Sequence, residues 1–206
     1  MTIRTDGPAG SLWRTYPPES PERPARICKE AGPLKKVLGY TAYFLAVILF
    51  SVFFIRYIGQ RTIVEGNSML PALADGDQLV SDKASYRFRD PERFEIIFFP
   101  YEYEEGAYYI KRIVGLPGET VRIDTDGNIY INGELLEEHY GLEPIEYAGL
   151  AEEEITLGED EYFVLGDNRN ISKDSRYSDV GNIRREDIIG RVIFRIYPLY
   201  AIGPVQ

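Results

Sequence analysis

Gly66-Asn67-Ser68-Met69-Leu70-Pro71-Ala72-Leu73 is the stretch around which this 206-residue chain is organised, because it separates a long apolar segment from an acidic, strand-rich region. Gly66 permits backbone conformations that other residues avoid, and Pro71 fixes its own φ and favours an extended Leu70. A serine on such a stiff turn can be presented to a substrate as a nucleophile. Serines in Gly/Asn/Pro turns also serve the turn alone, so the octamer by itself leaves both interpretations open.

The apolar segment before this loop, Val37 to Ile55, contains 19 residues and no charge. As a helix it would extend roughly 28 Å, close to the hydrocarbon thickness of a bilayer. A buried core helix fits poorly because the segment is apolar on all sides. A cleaved signal peptide fits poorly because the run is long and no small-x-small site follows it. We therefore expect an uncleaved transmembrane anchor at residues 34–58.

The charge distribution predicts the orientation of that anchor. Residues 1–36 carry seven Lys/Arg and four Asp/Glu, a net +3, whereas residues 59–206 carry 15 Lys/Arg and 29 Asp/Glu, a net −14. Lys29, Lys35 and Lys36 precede the apolar run, so the amino terminus is expected in the cytoplasm and residues 59–206 outside it. The Pro-rich residues 1–33 are expected to form a flexible tail.

The composition excludes some classes of binding partner and some kinds of site. The net charge is −10 and the sequence pI about 4.8, which argues against nucleic acid. The single cysteine, Cys28, cannot form an intrachain disulfide. The single histidine, His139, argues against a His-cluster metal site and is the one candidate for a Ser-His pair.

Beyond the anchor, the pattern predicts a mainly β, antiparallel domain built as two packed sheets or a distorted barrel. Asp126-Gly127 and Asn132-Gly133 mark tight turns, and the acidic residues 137–159 are expected to form an irregular surface insertion. The predicted strands are Arg61–Glu65, Gln78–Ser81, Phe94–Phe99, Tyr108–Val114, Thr120–Asp124, Asn128–Asn132, Glu161–Leu165 and Arg191–Tyr197.

A second stretch, Tyr108-Tyr109-Ile110-Lys111-Arg112-Ile113-Val114, places one cation on each face of a predicted strand. Side chains alternate along a strand, so Lys111 shares a face with Tyr109 and Ile113, and Arg112 lies on the other. A desolvated lysine can lose its proton and act as a general base, whereas arginine stays charged and needs a partner. The pattern also fits a lysine whose stem simply lies along apolar surface.

A third stretch, Gly166 to Arg176, is dense in side chains that hydrogen-bond to their own backbone. Asp167, Asp174, Arg169 and Arg176 can form charge-assisted pairs within it. Two non-catalytic interpretations are a polar surface loop and a cation site, although the residue spacing of a calcium-binding loop is absent.

Together, these stretches and the apolar segment resemble the bacterial type I signal peptidases, membrane-anchored serine proteases with a Ser/Lys dyad, over about residues 37–200. The resemblance implies that Ser68 is the nucleophile and Lys111 its general base. It implies that Ser172 hydrogen-bonds to Lys111 and orients it, and that Asp174 and Arg176 brace the site. The other residues that the family motifs place around the dyad are Gly66, Asn67, Met69, Pro71, Tyr109, Arg112, Asp167, Asn168 and Arg169.

Three positions depart from the family pattern. Gly66 stands where some members have a serine whose hydroxyl helps to bind the oxyanion, so backbone amides, including that of Ser68, or water are expected to replace it. Phe94-Glu95 stands where Gly-Asp is frequent before the apolar strand. Ala72 stands where threonine is common.

The resemblance also implies a function. The expected substrates are exported preproteins, bound as an extended strand and cut after Ala-x-Ala-type sites at the cell membrane, without a cofactor or metal. The Met69-Leu70-Pro71 tip is expected to rest on the lipid bilayer, and the secretion machinery is a further expected partner. Two rivals are a self-cleaving Ser/Lys protease, which the anchor disfavours, and a non-catalytic peptide-binding β module, which an intact Ser68 and Lys111 disfavour.

Overall fold

The structure is a computed structural model that describes residues 33–57, 59–101 and 107–205. Its α-helix, α1, runs from Pro33 to Tyr57 and contains the uncharged run Val37–Ile55. The chain divides into two compact units between Tyr43 and Phe44, inside this helix. Except for Pro33, the predicted flexible tail, residues 1–33, lies outside the described residues.

The sequence predicts a transmembrane anchor at residues 34–58. Within the described ranges, no helix combines the length and the apolar character that crossing a bilayer requires.

All strand pairs that follow α1 in the described residues are antiparallel, as predicted. The strands are β1 (Gly59–Ile63), β2 (Gln78–Asp82), β3 (Ile96–Pro100), β4 (Tyr108–Gly115), β5 (Thr120–Ile123), β6 (Ile129–Ile131), β7 (Glu134–Leu135), β8 (Ile155–Thr156), β9 (Glu161–Leu165), β10 (Ile183–Arg184), β11 (Gly190–Tyr197) and β12 (Gly203–Pro204).

The strands form two sheets. The larger has the order β1-β2-β11-β3-β4-β9-β10, with β12 paired to β11, and the smaller has the order β7-β6-β5-β8. The chain enters the smaller sheet between β4 and β5 and returns to the larger sheet between β8 and β9. Of the predicted alternatives, the fold is therefore two sheets rather than one distorted barrel.

Alternation along β4 and β9 separates the core on the two sides of the larger sheet. Val114, Phe163 and Leu165 face the smaller sheet and pack against its apolar side chains. Ile113 and Val164 point the other way, into a second cluster that contains Ile97 and Phe99. β3 and β9 are buried on both faces, which is why they contain continuous apolar runs in the sequence.

Both predicted tight turns are present. Gly127 has φ +80° in the β5–β6 hairpin, while Asn132 and Gly133 have φ +52° and +79° between β6 and β7. Asn and Gly tolerate this left-handed region, so these residues can reverse the chain within two positions. All eight predicted strands are found, whereas β7, β8, β10 and β12 were not predicted because two-residue strands carry no alternation.

The prediction that residues 137–159 form a surface insertion is only partly right. Glu152, Glu153 and Glu154 are exposed. However, Ile145, Ala151 and Leu157 belong to the core shared by the two sheets and are at most 5% exposed. These apolar residues stand singly among acidic ones, so their burial leaves no periodic signal in the sequence.

Candidate active site

The loop that carries Ser68 is anchored by the apolar residues that follow it. Met69 and Leu73 are 1% and 0% exposed and pack in a cluster with Leu79 of β2 and Ile96 of β3. The Leu73 amide donates to the Met69 carbonyl at 2.8 Å, closing a single turn. Buried neighbours therefore hold Ser68, itself half-buried, in a defined place.

The buried position of Met69 corrects the expectation that Met69-Leu70-Pro71 forms an apolar tip on the bilayer. Only Pro71 of the three is exposed, while Leu70 is half-buried. The thioether of Met69 fills core volume that the cluster around Leu79 offers.

The start of the loop requires glycine. Gly66 has φ +89°, a conformation that side chains disfavour. Its amide donates to Oδ1 of Asp75 at 2.8 Å, and the Asn67 carbonyl accepts from the Leu70 amide at 3.3 Å. These bonds fix the backbone on both sides of Ser68.

Lys111 lies on β4 and reaches Ser68 across 43 positions of sequence. Its Nζ is 2.9 Å from Ser68 Oγ and 3.0 Å from the carbonyl oxygen of Ile110. It also lies 4.9 Å from the centre of the Tyr109 ring. The partner of the Ser68 hydroxyl is therefore this lysine rather than His139, which is exposed in the insertion.

Burial changes the proton affinity of this lysine. Lys111 is 3% exposed, and the loss of hydration lowers its pKa from 10.5 to about 8, although the carboxylates of Asp174 and Asp167 act in the opposite direction. A neutral amine becomes accessible near physiological pH, and such an amine can accept a proton from a serine hydroxyl.

Arg112 faces away from Lys111 and pairs with the third stretch. Its Nε and Nη2 donate to the two carboxylate oxygens of Asp167 at 2.8 and 2.7 Å, and both side chains are 1% exposed. Its Nη1 donates to the Phe94 carbonyl at 2.8 Å. This two-point ion pair fixes the start of the Gly166–Arg176 loop to β4.

Asn168 connects that loop to the serine. Its amide nitrogen donates to the Ser68 carbonyl at 3.0 Å, and its side-chain Nδ2 donates to the Asn67 carbonyl at 3.2 Å. The strand that carries Lys111 and the loop that carries Ser68 are thus joined through Asp167 and Asn168.

Ser172 lies at the site but does not make the expected hydrogen bond to Lys111. Its side chain is 2% exposed, and within the described part of the chain its Oγ has no hydrogen-bond partner. Gly166 makes room for it, because a Cβ at that position would collide with Ser172 Oγ and with the Ser68 carbonyl oxygen. Glycine is required here for close approach rather than for its φ.

Asp174 and Arg176 hold the far side of the loop. Asp174 Oδ2 accepts from the Gly166 amide at 3.0 Å, and Arg176 Nε and Nη2 donate to the two oxygens of Asp174 at 2.8 and 2.9 Å. Arg176 also donates to the Tyr147 carbonyl at 3.0 Å. The side chains of Asp174 and Arg176 are almost completely buried. Each one neutralises the charge of the other, and a single buried charge without such a partner would destabilise the fold.

Arg169 has a partner that the sequence did not indicate. The four loop residues that the sequence suggested as partners do not all pair with each other, because Asp167 binds Arg112 and Arg169 binds Glu138 at 2.9 Å. Glu138 belongs to the acidic insertion, where nothing distinguishes it from neighbouring glutamates. Its role as a partner follows only from the folded chain.

Phe94 stands where the family resemblance places a glycine, and it adopts a positive φ of +71°. Its ring lies 5.0 Å from that of Tyr140. Tyr140 in turn lies 3.8 Å from the guanidinium carbon of Arg112. The departure at Phe94-Glu95 therefore adds an aromatic wall beside the buried ion pair, and the Gly-to-Phe change was its only sequence signal.

The geometry supports acyl transfer by a serine. A hydroxyl lies in contact with a desolvated amine, and the Ser68 amide donates to no acceptor among the described residues, so it is free to bind an oxyanion. Among the residues that the structure describes, no group of three or more His, Cys, Asp and Glu side chains could hold a metal ion.

Known proteins resemble this chain over most of its length. A model of the family described as signal peptidase, peptidase S26, matches residues 37–197. A probable signal peptidase I-2 from Synechocystis sp. is 36% identical over 180 residues, which cover 85% of this chain and 80% of that protein. The signal peptidase I of Leptolyngbya laminosa is 36% identical over 211 residues, 98% of this chain and 96% of the relative. The chain therefore belongs to the signal peptidase family, peptidase S26.

Proposed function

We propose that this protein is a membrane-anchored serine endopeptidase that removes N-terminal signal peptides from exported preproteins, with Ser68 as nucleophile and Lys111 as general base. The observation that carries the proposal is the 2.9 Å contact between Lys111 Nζ and Ser68 Oγ, made by a lysine that is almost completely buried. Family membership supports the substrate class, since the relatives described above are signal peptidases.

The first half of the reaction forms an acyl-enzyme. Neutral Lys111 accepts the proton of Ser68 Oγ as the oxygen attacks the carbonyl carbon of the scissile bond. The negative charge that develops on the carbonyl oxygen is stabilised by the Ser68 amide, which makes no other hydrogen bond in the described chain. Lys111 then protonates the leaving amine, and the mature protein departs with a free amino terminus.

The second half restores the enzyme. Lys111, neutral again after giving up its proton, takes a proton from a water molecule that attacks the acyl carbon. It returns that proton to Ser68 Oγ as the signal peptide leaves with a free carboxylate. The cycle consumes one water molecule and uses no cofactor.

The supporting residues keep these two groups in contact. Asn168 positions the backbone of Ser68, while Arg112 and Asp167 connect Asn168 to β4. Ser172 Oγ has no hydrogen-bond partner among the described residues. We infer that it orients Lys111 once substrate has bound, because catalytic hydrogen bonds often tighten only in the complex.

We infer that residues 34–58 anchor the protein in the membrane as one span, with residues 1–33 in the cytoplasm and the catalytic domain, residues 59–206, outside it. The uncharged run Val37–Ile55 within α1 and the preceding lysines support this topology. Preproteins would then meet the enzyme at the lipid bilayer as they leave the secretion machinery, and bind as extended strands with small residues before the cleaved bond.

The test uses the full chain in detergent and a purified preprotein. Wild-type protein should release the mature protein, and the mass of the product should place the cut after an Ala-x-Ala-type site. Ser68→Ala should release none, because an alanine has no nucleophile to acylate. Ser178→Ala, which alters an exposed serine, serves as the matched control and should cleave at the wild-type rate.

Each alternative gives a different result in the same assay. A non-catalytic binding module would retain the preprotein uncut in both forms, and a self-cleaving protease would shorten only its own chain. Wild-type turnover by Ser68→Ala would remove the serine from the mechanism.

A further inference from the structure

The first part of the insertion, Glu138–Glu146, contacts the loop that positions the serine. Leu142 donates its amide to the Asp167 carbonyl at 2.9 Å. Glu138 binds Arg169 at 2.9 Å, and both side chains are mostly buried, with 13% and 3% of their surface exposed. These contacts fall on the two residues that flank Asn168 in the sequence.

A second set of contacts fixes the next residue of the loop. Asn170 donates through Nδ2 to the Pro144 carbonyl at 3.1 Å, and its Oδ1 accepts from the Glu146 amide at 3.0 Å. An asparagine held by both its donor and its acceptor has little rotational freedom. The insertion therefore contacts three loop residues, Asp167, Arg169 and Asn170, that surround Asn168 on both sides.

Asn168 itself contacts only a small part of the nucleophile loop, residues Gly66–Leu73. Two of its hydrogen bonds reach this loop, and they go to the carbonyls of Asn67 and Ser68. A change in the direction of the Asn168 backbone would shift the Ser68 carbonyl and, with it, the position of Oγ relative to Lys111 Nζ. Displacements of about 1 Å at a reacting atom can lower a rate on the order of a hundredfold.

The buried guanidinium of Arg169 makes the loop around Asn168 depend on the ion pair with Glu138. The Arg169 side chain is 3% exposed, and its Nε donates to the Gly166 carbonyl at 3.1 Å. Gly141 approaches the same guanidinium so closely that a Cβ there would lie 3.2 Å from its carbon. A buried guanidinium without its carboxylate would have to move towards water, and it would carry the Gly166–Asn170 backbone with it.

We propose that Glu138 is a positioning residue for the reaction, which acts through Arg169 and Asn168 to keep Ser68 Oγ in contact with Lys111. This inference rests on the proposed function, because it needs Ser68 to be the nucleophile. Glu138 lies in the part of the chain that sequence patterns assign to an irregular surface segment. Among the described residues, Glu138 forms no hydrogen bond with Ser68 or with Lys111.

Glu138→Gln tests the proposal, because glutamine keeps the shape of the side chain and loses the charge. We expect kcat for preprotein cleavage to fall about tenfold while KM changes less than twofold, since positioning affects the reacting atoms rather than substrate affinity. Glu138→Asp should recover part of the loss. Glu137→Gln, an exposed neighbour in the same segment, is the matched control and should keep the wild-type kcat.

A double-mutant cycle with Arg169→Met distinguishes positioning from general destabilisation, because this change removes the guanidinium that Glu138 binds. If Glu138 acts through Arg169, the double variant should lose little more activity than Arg169→Met alone. Additive losses would overturn the proposal, and so would a fall in kcat of less than threefold for Glu138→Gln or a loss confined to KM.

Folding and the proposed function are controlled separately. Thermal melts show whether each variant is folded at the assay temperature. If Glu138→Gln is unfolded there, Asn170→Ala takes its place, because it removes the contacts with Pro144 and Glu146 and should lower kcat in the same way, with the same limits. An inactive Ser68→Ala beside a fully active Glu138→Gln would disprove the positioning role and leave the proposed function standing.

Discussion

Lys111 occupies a position that opposes folding while it enables chemistry. Its side chain is 3% exposed, and burial lowers its pKa to about 8. Since one pKa unit corresponds to about 1.4 kcal/mol, the difference from the ordinary lysine value amounts to about 3 kcal/mol of folding free energy. The unfolded chain holds the proton more tightly than the folded one, so the penalty is complete below pH 8. It decreases as the pH rises and disappears above the unfolded pKa of 10.5.

Replacing Lys111 separates these two roles. Lys111→Met removes the charge and keeps most of the volume, so it should be inactive and yet melt no lower than wild type at pH 7. Lys111→Arg should also be inactive, because a guanidinium does not release its proton. The stability advantage of Lys111→Met should shrink between pH 8 and pH 10.5, measured by thermal melts across that range.

The pH dependence of the wild-type cleavage rate should report the same ionisation of Lys111. The value of kcat/KM should rise with pH through an ionisation near 8, which is the pKa of Lys111 in the free enzyme. Preprotein cleavage by Lys111→Arg at near the wild-type rate would disprove the general-base role.

Ser172 gives a prediction in which stability and activity change in opposite directions. Its buried Oγ has no hydrogen-bond partner in the described chain, and a buried unsatisfied hydroxyl costs about 1 kcal/mol or more. Ser172→Ala should therefore melt at the same temperature as wild type or higher. Its kcat should still fall, by less than that of Ser68→Ala, if the hydroxyl orients Lys111 in the substrate complex. An unchanged kcat would remove Ser172 from the mechanism.

At the scale of the elements, the turn that leads into β3 contains a residue in a strained conformation, Phe94. Phe94 has φ +71°, which costs a residue with a side chain about 1 kcal/mol, and glycine much less. Two hydrogen bonds stabilise this backbone conformation. The Phe94 carbonyl accepts from Arg112, and the Phe94 amide donates to the Ile113 carbonyl at 2.8 Å. The ring contact with Tyr140 offsets part of the strain.

Two substitutions at Phe94 isolate the backbone term. Phe94→Ala loses the ring and keeps the strain, whereas Phe94→Gly loses the ring and relieves it. We expect both variants to be less stable than wild type and Phe94→Gly to be about 1 kcal/mol more stable than Phe94→Ala. Urea unfolding midpoints measure the difference, and an alanine variant as stable as the glycine variant would show that the turn is unstrained.

At the scale of the whole molecule, the proposed orientation can be tested through the insertion. Glu152, Glu153 and Glu154 are exposed, so a protease that cuts after acidic residues should reach them. Protease added outside intact cells without a wall should cleave there, because residues 59–206 are proposed to face away from the cytoplasm. A cytoplasmic marker protein must stay intact in the same sample. Protection of the insertion until the cells are lysed would reverse the orientation.

The sequence by itself determined the helix over the uncharged run, the eight longer strands and the two tight turns. These are properties of neighbouring residues, such as alternation, apolar runs and turn chemistry, which a linear pattern records. The choice of Ser68 and Lys111 as the candidate dyad came instead from the resemblance of three motifs to the type I signal peptidases. The structure alone brought Ser68 Oγ to 2.9 Å from Lys111 Nζ, paired Arg169 with Glu138 and buried Met69. It also left Ser172 Oγ without a hydrogen-bond partner among the described residues. Contacts between residues far apart in sequence depend on how β4, the nucleophile loop and the insertion pack together, and no local pattern encodes that packing.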